Sequence, residues 1–241
     1  LEAADRVVVY GGDPTVLSVR RRTPPGATLV EYRHRVGVLV VGVADSRDSD
    51  VGRVASEVAD SVVPYEQRGC VSPVQVHAIG SAEDARRFAQ RLAAEMEKRS
   101  AAIPGVRTPE EAAAIHQVTG SLELRRAAGE AVDLWMGTGW AVGLDPHGEP
   151  FAGGRLIIVR ATESVGDAAL ALERWRGRLQ AVGTAGLQPD DEARIARAAA
   201  AAGASRVGPA RRMSYPPPWW IHDGRGPLHA LVDLVEWEQA D

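Results

Sequence analysis

The sequence predicts an α/β fold, because short strand-like runs alternate with helical patterns along the chain. Runs rich in β-branched residues occupy residues 6–10, 28–32 and 36–43. Helical patterns follow at residues 16–22 and 48–63. The third run is apolar at almost every position, as expected of a parallel strand that is covered on both faces. Such alternation is typical of a parallel sheet with helices packed against it.

A glycine turn separates the first strand from the first helix. Residues 11–15 read Gly-Gly-Asp-Pro-Thr. At this place in a doubly wound fold, backbone N–H groups at a helix N-terminus bind phosphates. The turn lacks the complete dinucleotide fingerprint and its downstream acid, and a glycine turn of this kind is more often a simple connection. Both interpretations stay open from these residues alone.

Three helices in the middle of the chain have N-terminal signals. Asp48 is expected to cap the first of them. Ser81 and Asp84 form a capping-box pattern at the start of the second, and Thr108 is the expected N-cap of the third. The expected helices span residues 48–63, residues 81–103 and a stretch from residue 108 onward.

The second half of the chain adds more strands and two helices. We expect strands at residues 131–136, 139–144, 155–159 and 179–182, a helix at 190–202 and a last amphipathic helix at 227–238. The single domain boundary that the pattern suggests lies near Val63. It would divide a nucleotide-type half-sheet, residues 1–63, from a thiol-bearing domain, residues 64–241.

The composition argues against several classes of function. The 241 residues carry a formal net charge of −4 with both signs well mixed, so neither a basic stripe for nucleic acid nor an acidic tail is present. No apolar run approaches the ~20 residues that span a bilayer, and the first residues lack a signal-peptide pattern. We therefore expect a cytoplasmic protein without nucleic-acid or membrane partners. Because the first residue is Leu and strand-like sequence begins by Arg6, we also expect the chain to be part of a longer protein.

Cys70 is the single cysteine of the chain. Gly69 precedes it and Pro73 opens the alternating run of residues 74–78, which predicts a turn that leads into a strand. A single cysteine cannot form a disulfide within the chain, and no set of His, Cys and carboxylate residues has metal-ligand spacing. Two interpretations remain: a buried filler, which is the commoner fate of a cysteine outside disulfides, or a nucleophile.

Three separated motifs decide between these interpretations. Residues 67–73 read Gln-Arg-Gly-Cys-Val-Ser-Pro, residues 178–183 read Arg-Leu-Gln-Ala-Val-Gly, and residues 220–224 read Trp-Ile-His-Asp-Gly. Together they resemble the LuxC-type acyl-CoA reductases, a family within the aldehyde dehydrogenase superfamily. The resemblance covers nearly the whole chain, but only the carboxyl-terminal half or so of such an enzyme. It implies a partial Rossmann-type cofactor sheet followed by a catalytic α/β domain.

The resemblance implies an enzyme whose nucleophile is Cys70. In this family a cysteine thiolate attacks a fatty acyl-CoA, CoA leaves, and NADPH reduces the bound acyl group to an aldehyde. A thiolate is a strong nucleophile, and its acyl ester stays electrophilic. Because a thiol with a pKa of ~8.5 is mostly protonated at neutral pH, the site must lower that pKa or supply a base.

His34 is the candidate for that base. It lies in residues 32–36, Tyr-Arg-His-Arg-Val, a segment that resembles the one carrying a functional histidine in acyl-CoA reductases. An imidazole that titrates near neutral pH is able to deprotonate the thiol, or to activate water for deacylation. A surface histidine between two arginines is the alternative interpretation.

The resemblance also implies a cofactor site and an assembly. Gly11, Gly12 and Thr15 match the region that approaches the cofactor phosphates in the superfamily, so contacts to NADPH are expected there. Residues 131–160 are an expected oligomerisation hairpin, because superfamily members pair sheets across subunits and exposed edges favour such pairing. The expected partners are the fatty acyl-CoA substrate and either further copies of the chain or a reductase complex.

Two other functions stay open. An acyltransferase or thioesterase would use Cys70 without hydride transfer. A non-catalytic fragment would serve as an oligomerisation or acyl-binding module of a larger reductase assembly.

Overall fold

A computed structural model describes residues 3–151, 153–226, 228–233 and 235–238. The contacts divide the chain into two compact units. The smaller unit contains the described residues of Leu1–His34 and Pro217–Asp241, and the larger unit is Arg35–Pro216.

The smaller unit begins with a strand, a helix and a second strand. These are β1 (Arg6–Gly11), α1 (Asp13–Arg22) and β2 (Thr28–Arg33). β1 and β2 pair in parallel, with Arg6 opposite Thr28. The order strand, glycine turn, helix, strand is the one that the sequence predicts. The helix begins three residues earlier than expected, at Asp13 rather than Val16, because Pro14 is compatible with the first turn of a helix.

The carboxyl-terminal part of the smaller unit contains a four-ring aromatic stack. The ring of His222 stacks on those of Tyr32 and Trp220, with centroids 4.4 and 4.5 Å away, and the ring of Tyr10 lies 4.5 Å from Tyr32 and 6.2 Å from His222. The guanidinium of Arg6 donates a hydrogen bond to the backbone oxygen of Ala230 at 3.1 Å. The terminal segment therefore packs along β1 and β2, with the aromatic rings near the carboxyl ends of the strands and Ala230 at the amino end of β1.

The predicted helix at 227–238 is wrong for the part of this segment that the structure describes. Only a 3₁₀ turn, His229–Leu231, forms there, and positions 227 and 234 lie outside the described residues. The apolar side chains of Leu228, Val235 and Trp237 are 67%, 89% and 83% exposed. An isolated short helix is marginal in water, and these exposed side chains provide no packing that would stabilise one.

The larger unit contains seven strands and five α-helices in its described residues. The strands are β3 (Val36–Gly42), β4 (Pro73–Ile79), β5 (Asp133–Gly137), β6 (Trp140–Leu144), β7 (Leu156–Thr162), β8 (Leu179–Ala185) and β9 (Arg206–Pro209). The helices are α2 (Asp48–Val62), α3 (Ala82–Ala102), α4 (Pro109–Ala127), α5 (Val165–Glu173) and α6 (Pro189–Ala201). The strand order is β5-β6-β7-β4-β3-β8-β9, and every pair is parallel except the β5–β6 hairpin.

Helices cover both faces of this sheet. On one face, α5 and α6 pack on β3, β4 and β8, and α4 packs on β6 and β7. The helices α2 and α3 cover the other face. They pack against each other, and α3 lies along β6 and β7. β3 is buried at nearly every position, which confirms the prediction of a strand covered on both faces. None of the helices in the described ranges has the length and apolar character that crossing a membrane requires.

Two local differences from the sequence prediction have simple causes. Arg47, rather than Asp48, is the N-cap of α2, so Asp48 lies in the first turn, where its charge complements the helix dipole. Helix α5 is not predicted, although Ser164 caps it by accepting a hydrogen bond from the backbone of Asp167.

The predicted boundary near Val63 lies inside the larger unit, since β3 and β4 pair in one sheet across it.

Candidate active site around Cys70

Cys70 lies in a tight turn directly before β4. The backbone N–H of Ser72 donates a hydrogen bond to the carbonyl oxygen of Gly69 at 2.8 Å, which places Cys70 and Val71 at the centre of a β-turn. The cysteine is half-buried. This is the turn and strand that the sequence predicts. We call residues 69–72 the cysteine turn.

The cysteine turn lies at the amino edge of the parallel strands. β4 begins at Pro73, immediately after the turn, and β3 and β8 run parallel to it. Doubly wound folds usually bind ligands at the opposite edge, outside the carboxyl ends of the strands. The position of Cys70 in the sheet therefore does not by itself indicate a ligand site, and the contacts that hold residues 65–72 have to be considered.

The three residues before Arg68 have an unusual backbone conformation. Tyr65, Glu66 and Gln67 have φ angles of 55°, 54° and 60°. For residues with a Cβ atom, the left-handed region costs on the order of 1–2 kcal/mol per residue. Such residues persist only where the surrounding structure holds them firmly. A strained connection thus leads into the cysteine turn, and it requires stabilising partners.

Gln67 is one such partner. Its side chain is buried, and its Nε2 donates hydrogen bonds to the carbonyl oxygens of Pro73 at 2.7 Å and Leu156 at 2.8 Å. Pro73 begins β4 and Leu156 begins β7. The amide therefore links both ends of the cysteine turn to the adjacent strand.

A buried ion pair also stabilises the strained connection of residues 65–67. The guanidinium of Arg155 lies 2.7 Å from Oε1 of Glu66, and the Arg155 side chain is 1% exposed. Arg155 also donates to the carbonyl oxygen of Ile103 at 2.7 Å, and the N–H of Gly154 donates to the backbone oxygen of Glu66 at 2.9 Å. Removing one member of a buried pair leaves an uncompensated charge, which is why this contact fixes the geometry strongly.

A second, more exposed pair connects the turn to α4. Nε and Nη2 of Arg68 donate to the two carboxylate oxygens of Glu111, each at 2.6 Å. Glu111 also accepts from the backbone N–H of Thr108 and completes the capping box of α4. The hydrogen bonds from Arg68 and then from Thr108 lower the pKa of Glu111 to about 2. The start of α4 and the cysteine turn are thereby held together.

β3 supports the cysteine turn through a glycine. The N–H of Gly37 donates to the carbonyl oxygen of Ser72 at 3.2 Å. A Cβ atom at Gly37 would lie 2.5 Å from the carbonyl oxygen of Val71 and would also collide with the side chain of Met213. Only glycine permits this close approach of the turn to the strand.

The segment after β9 covers the same region. Met213 is buried, and the hydroxyl of Ser214 donates to the carbonyl oxygen of Ser61 at 2.6 Å, near the end of α2. The rings of Tyr215 and Tyr65 lie 6.4 Å apart. The last residues of the larger unit therefore pack beside the strained connection that leads to Cys70.

The other predicted catalytic residue, His34, belongs to the smaller unit. It follows β2 and is exposed. Cys70 belongs to the larger unit, so the contacts within each unit do not bring the two residues together. The role of His34 stays a prediction.

The three predicted cofactor residues come together at the N-terminus of α1. Gly12 is the N-cap and makes no side-chain hydrogen bond to the helix, and a Cβ atom at Gly11 would lie 3.1 Å from the Cβ atom of Thr15. Uncapped backbone N–H groups at a helix N-terminus are suited to a phosphate, although the carboxylate of Asp13 in the first turn opposes it. This geometry is suited to a contact with one phosphate, and the role of the three residues in cofactor binding stays a prediction.

Several residues of the site escape prediction from the sequence. Glu66, Glu111, Arg155 and Gly37 support the turn, but each is remote from it in sequence or shows no pattern that marks it. Gln67 and Arg68 are in the predicted motif, where solvated side chains are the usual expectation. Among the described residues, no group of three or more His, Cys, Asp and Glu side chains is arranged to hold a metal ion.

Comparison with solved structures shows the fold. An oxidoreductase from Marinobacter aquaeolei is similar with a TM-score of 0.65 and 14% identity, over 94% of this chain and 50% of that one. A protein described as methylmalonate-semialdehyde dehydrogenase from Sinorhizobium meliloti 1021, solved with NAD, gives a TM-score of 0.60 and 13% identity over 89% and 46%. Lactaldehyde dehydrogenase from Escherichia coli gives 0.59 and 12% over 94% and 51%.

These similarities confirm the predicted aldehyde-dehydrogenase-like α/β fold, and the chain spans about half the length of the structures that it matches. No curated protein matches the chain significantly. The model of one family, acyl-CoA reductase (LuxC), matches residues 1–237. Because this match extends over nearly the whole sequence, the chain belongs to the acyl-CoA reductase (LuxC) family.

Proposed function

We propose that this chain is the thiol-bearing part of an enzyme that reduces a fatty acyl-CoA to the aldehyde with NADPH. The observation that carries the proposal is the cysteine turn. A half-buried thiol lies on a turn that is fixed by Gln67, by the Glu66–Arg155 pair and by the Arg68–Glu111 pair. So many polar contacts at one short turn exceed what a space-filling cysteine needs, whereas a nucleophile requires a fixed position.

In the proposed reaction, Cys70 first accepts the acyl group. The thiolate sulfur forms a bond to the carbonyl carbon, the bond from that carbon to the sulfur of CoA breaks, and CoA leaves as a thiol after taking up a proton. The backbone N–H of Cys70 is the proposed donor to the oxyanion. NADPH, when bound, supplies the hydride that releases the acyl group as an aldehyde and returns Cys70 to the thiolate.

His34 is the proposed base that takes the proton from Cys70. This assignment rests on the resemblance of residues 32–36 to the histidine segment of acyl-CoA reductases. A histidine is suited to this role, because its imidazole is able to accept the proton at a ring nitrogen and return it to the leaving thiol.

Gly11, Gly12 and Thr15 are the proposed contacts to a phosphate of the cofactor. Their place at the N-terminus of α1 supports this role. The chain spans about half of the aldehyde dehydrogenase structures that it matches, one of which was solved with NAD, so the rest of a complete cofactor site would come from other residues. The preference for NADPH over NADH is part of the proposal.

We also propose that the protein works as a homo-oligomer or within a reductase complex in the cytoplasm. In the described part of the larger unit, β5 is one of the two edge strands of the sheet and pairs with β6 alone. Its residue Met136 is 55% exposed. An edge strand of this kind offers unpaired backbone groups to a second sheet, which supports the predicted role of residues 131–160.

A single-turnover experiment tests the function and separates it from plain acyl transfer. The intact protein is mixed with radiolabelled palmitoyl-CoA, and then with NADPH, NADH or buffer. The proposal predicts labelled protein after the first step and labelled aldehyde after NADPH, with less after NADH. Release of free acid in place of aldehyde would instead indicate a thioesterase, and label that stays on protein of the Cys70→Ser variant would exclude both functions.

A further inference from the structure

The strained connection and the cysteine turn form one continuous segment, residues 65–72, which joins two fixed elements of the larger unit. The segment lies at the surface: Tyr65 is 66% exposed, Arg68 is exposed, and Cys70 is half-buried. Helix α2 ends shortly before it, and β4 begins directly after it. A short surface segment of this kind is able to change its conformation while the helix and the sheet stay folded.

The backbone of this segment is strained in the observed conformation. Tyr65, Glu66 and Gln67 have φ angles of 55°, 54° and 60°, and none of the three is a glycine. In the left-handed region the Cβ atom of such a residue lies too close to the following carbonyl oxygen. Three residues of this kind in succession oppose the observed conformation, and a flexible conformation would relieve the strain.

Buried polar atoms oppose the observed conformation as well. Among the described residues, Oε2 of Glu66, Oε1 of Gln67 and Oγ of Ser72 have no hydrogen-bond partner. The same holds for Nε of Arg155, whose guanidinium is paired with Glu66. A buried polar group without a partner costs free energy, and this cost disappears when water reaches the group. Release of the segment would therefore lower the free energy of these atoms.

Polar contacts hold the segment against these costs. The side chain of Gln67 donates to the carbonyl oxygens at the starts of β4 and β7, and Glu66 and Arg68 each form an ion pair. The N–H of Gly154 donates to the backbone oxygen of Glu66. Within residues 65–70, Gln67 is the single buried residue, so little apolar burial adds to these contacts. A surface segment with few buried apolar contacts belongs to the low-stability part of a fold.

We propose that residues 65–72 are a conformational switch, which alternates between the observed, held conformation and a released conformation while the sheet stays folded. In the held conformation Cys70 is fixed at the centre of its turn. Release frees the thiol from that position, so the switch regulates whether the thiol is positioned. Loops that complete a catalytic site commonly move in this way. The switch does not depend on which substrate Cys70 attacks, so it stands apart from the proposed reductase activity.

Hydrogen exchange of the intact protein, followed by NMR without substrate or cofactor, tests the switch. The reporters are the N–H groups of Arg68, Ser72 and Gly154, because each donates to a carbonyl oxygen of the held segment. The N–H groups of the central strands β3 and β4 are the reference. The reporters should exchange about 10²-fold or more faster than the reference, at a rate that low urea does not change, because local release exposes little surface. Reporters that exchange as slowly as the reference, with the same urea dependence, would overturn the proposal.

Two variants at Tyr65 test whether backbone strain drives the release. Tyr65→Ala removes the exposed ring and keeps the strain, whereas Tyr65→Gly removes both, because glycine adopts positive φ angles readily. The held conformation is therefore favoured in Tyr65→Gly, and its reporter amides should exchange about threefold or more slowly than those of Tyr65→Ala. Equal exchange in the two variants, or faster exchange in Tyr65→Gly, would overturn the proposal.

Asp45 provides the matched control. It is exposed in the loop between β3 and α2, and its φ angle of 49° is also in the left-handed region. Asp45→Gly should be more stable to global unfolding than Asp45→Ala for the same reason, but the reporter amides should exchange at the same rate in both. If the Asp45 pair changes the reporters as much as the Tyr65 pair does, global stability alone sets their exchange, and the separate switch is excluded.

Discussion

Arg155 is the single residue on which the geometry of the cysteine turn depends most. It is remote in sequence from Glu66, it is buried, and its own φ angle of 58° is in the left-handed region. Replacing it by Met keeps the volume of the side chain but leaves the Glu66 carboxylate without its partner. We expect Arg155→Met to lower the free energy of unfolding by about 3–5 kcal/mol, measured by urea denaturation.

The control for this prediction is the exposed pair of Arg176 and Glu173. Both of its side chains are more than half exposed, so Arg176→Met should cost less than about 1 kcal/mol. The double variant with Glu66→Gln and Arg155→Met should regain part of the stability that Arg155→Met loses, since no unpaired charge is left. Equal losses in Arg155→Met and Arg176→Met would show that the buried pair does not hold the turn.

His34 provides a second prediction for single residues. If it is the base, His34→Gln should lower the rate of acylation of Cys70 by about 10²-fold or more at pH 7, and the remaining rate should rise with pH as the thiol ionises by itself. Stopped-flow measurement of CoA release gives this rate. His116→Gln, on α4, is the control and should acylate at the wild-type rate. A wild-type rate and pH profile in His34→Gln would exclude the role.

The close contact between β3 and the cysteine turn is a property of two elements. A methyl group at Gly37 would lie 2.5 Å from the backbone oxygen of Val71, and the backbone cannot yield as a flexible side chain would. Gly37→Ala should cost about 1–3 kcal/mol and slow the reaction of Cys70 with a thiol reagent or an acyl-CoA, because the turn must move. The free energy of unfolding and the rate at which Cys70 reacts are both measured on the purified protein.

Gly52 in α2 is the matched control, since nothing lies within 4 Å of a Cβ atom there. Gly52→Ala should stabilise the protein by up to about 1 kcal/mol through the higher helix propensity of alanine, without an effect on Cys70. If both alanine variants leave the thiol equally reactive, the contact of β3 with the turn has no role in positioning it.

Glu111, the third residue of α4 and part of its capping box, makes the stability of the protein depend on pH. The pKa of Glu111 is lowered to about 2 by Arg68 and by the helix N-terminus, so the folded state favours the ionised carboxylate. The contribution is complete above the pKa of the unfolded chain, near ~4.3, and is lost as the pH falls toward about 2. The urea midpoint of wild type should therefore fall more steeply than that of Glu111→Gln in this window, and parallel curves would contradict the assignment.

Elements whose signals are local were predictable, and elements that depend on tertiary contacts were not. The capping boxes at Ser81 and Thr108 form as expected, because cap and partner lie three residues apart. Ser164 and Asp167 carry a similar signal for α5 that the strand-like surroundings concealed. The terminal helix at 227–238 was expected from its amphipathic pattern, but in the described residues only a 3₁₀ turn forms and the side chains of Leu228, Val235 and Trp237 are exposed.

The candidate site was also predictable only where its sequence signals are local. Cys70 and its turn follow from a glycine, a proline and an alternating strand close by in sequence. The left-handed residues Tyr65, Glu66 and Gln67 contain no glycine that would mark them, and their conformation exists because Arg155 and the strand ends bind them. Contacts between residues so distant in the chain leave no pattern in a single sequence.

At the scale of the whole molecule, the larger unit carries the thiol and the smaller unit carries His34 and the glycine turn. The chain belongs to the acyl-CoA reductase (LuxC) family and spans about half the length of similar aldehyde dehydrogenase structures. The proposed division of labour follows from this arrangement: the larger unit accepts the acyl group, and the smaller unit contributes to the cofactor site.

The most direct test of the account is the intact mass of the protein after incubation with palmitoyl-CoA in the absence of NADPH. The account predicts a mass increase of one palmitoyl group on wild type, located on the peptide that contains Cys70, and none on a folded Cys70→Ser variant. An unmodified wild-type protein whose thiol still reacts with a small thiol reagent, or an equal adduct on the variant, would contradict it.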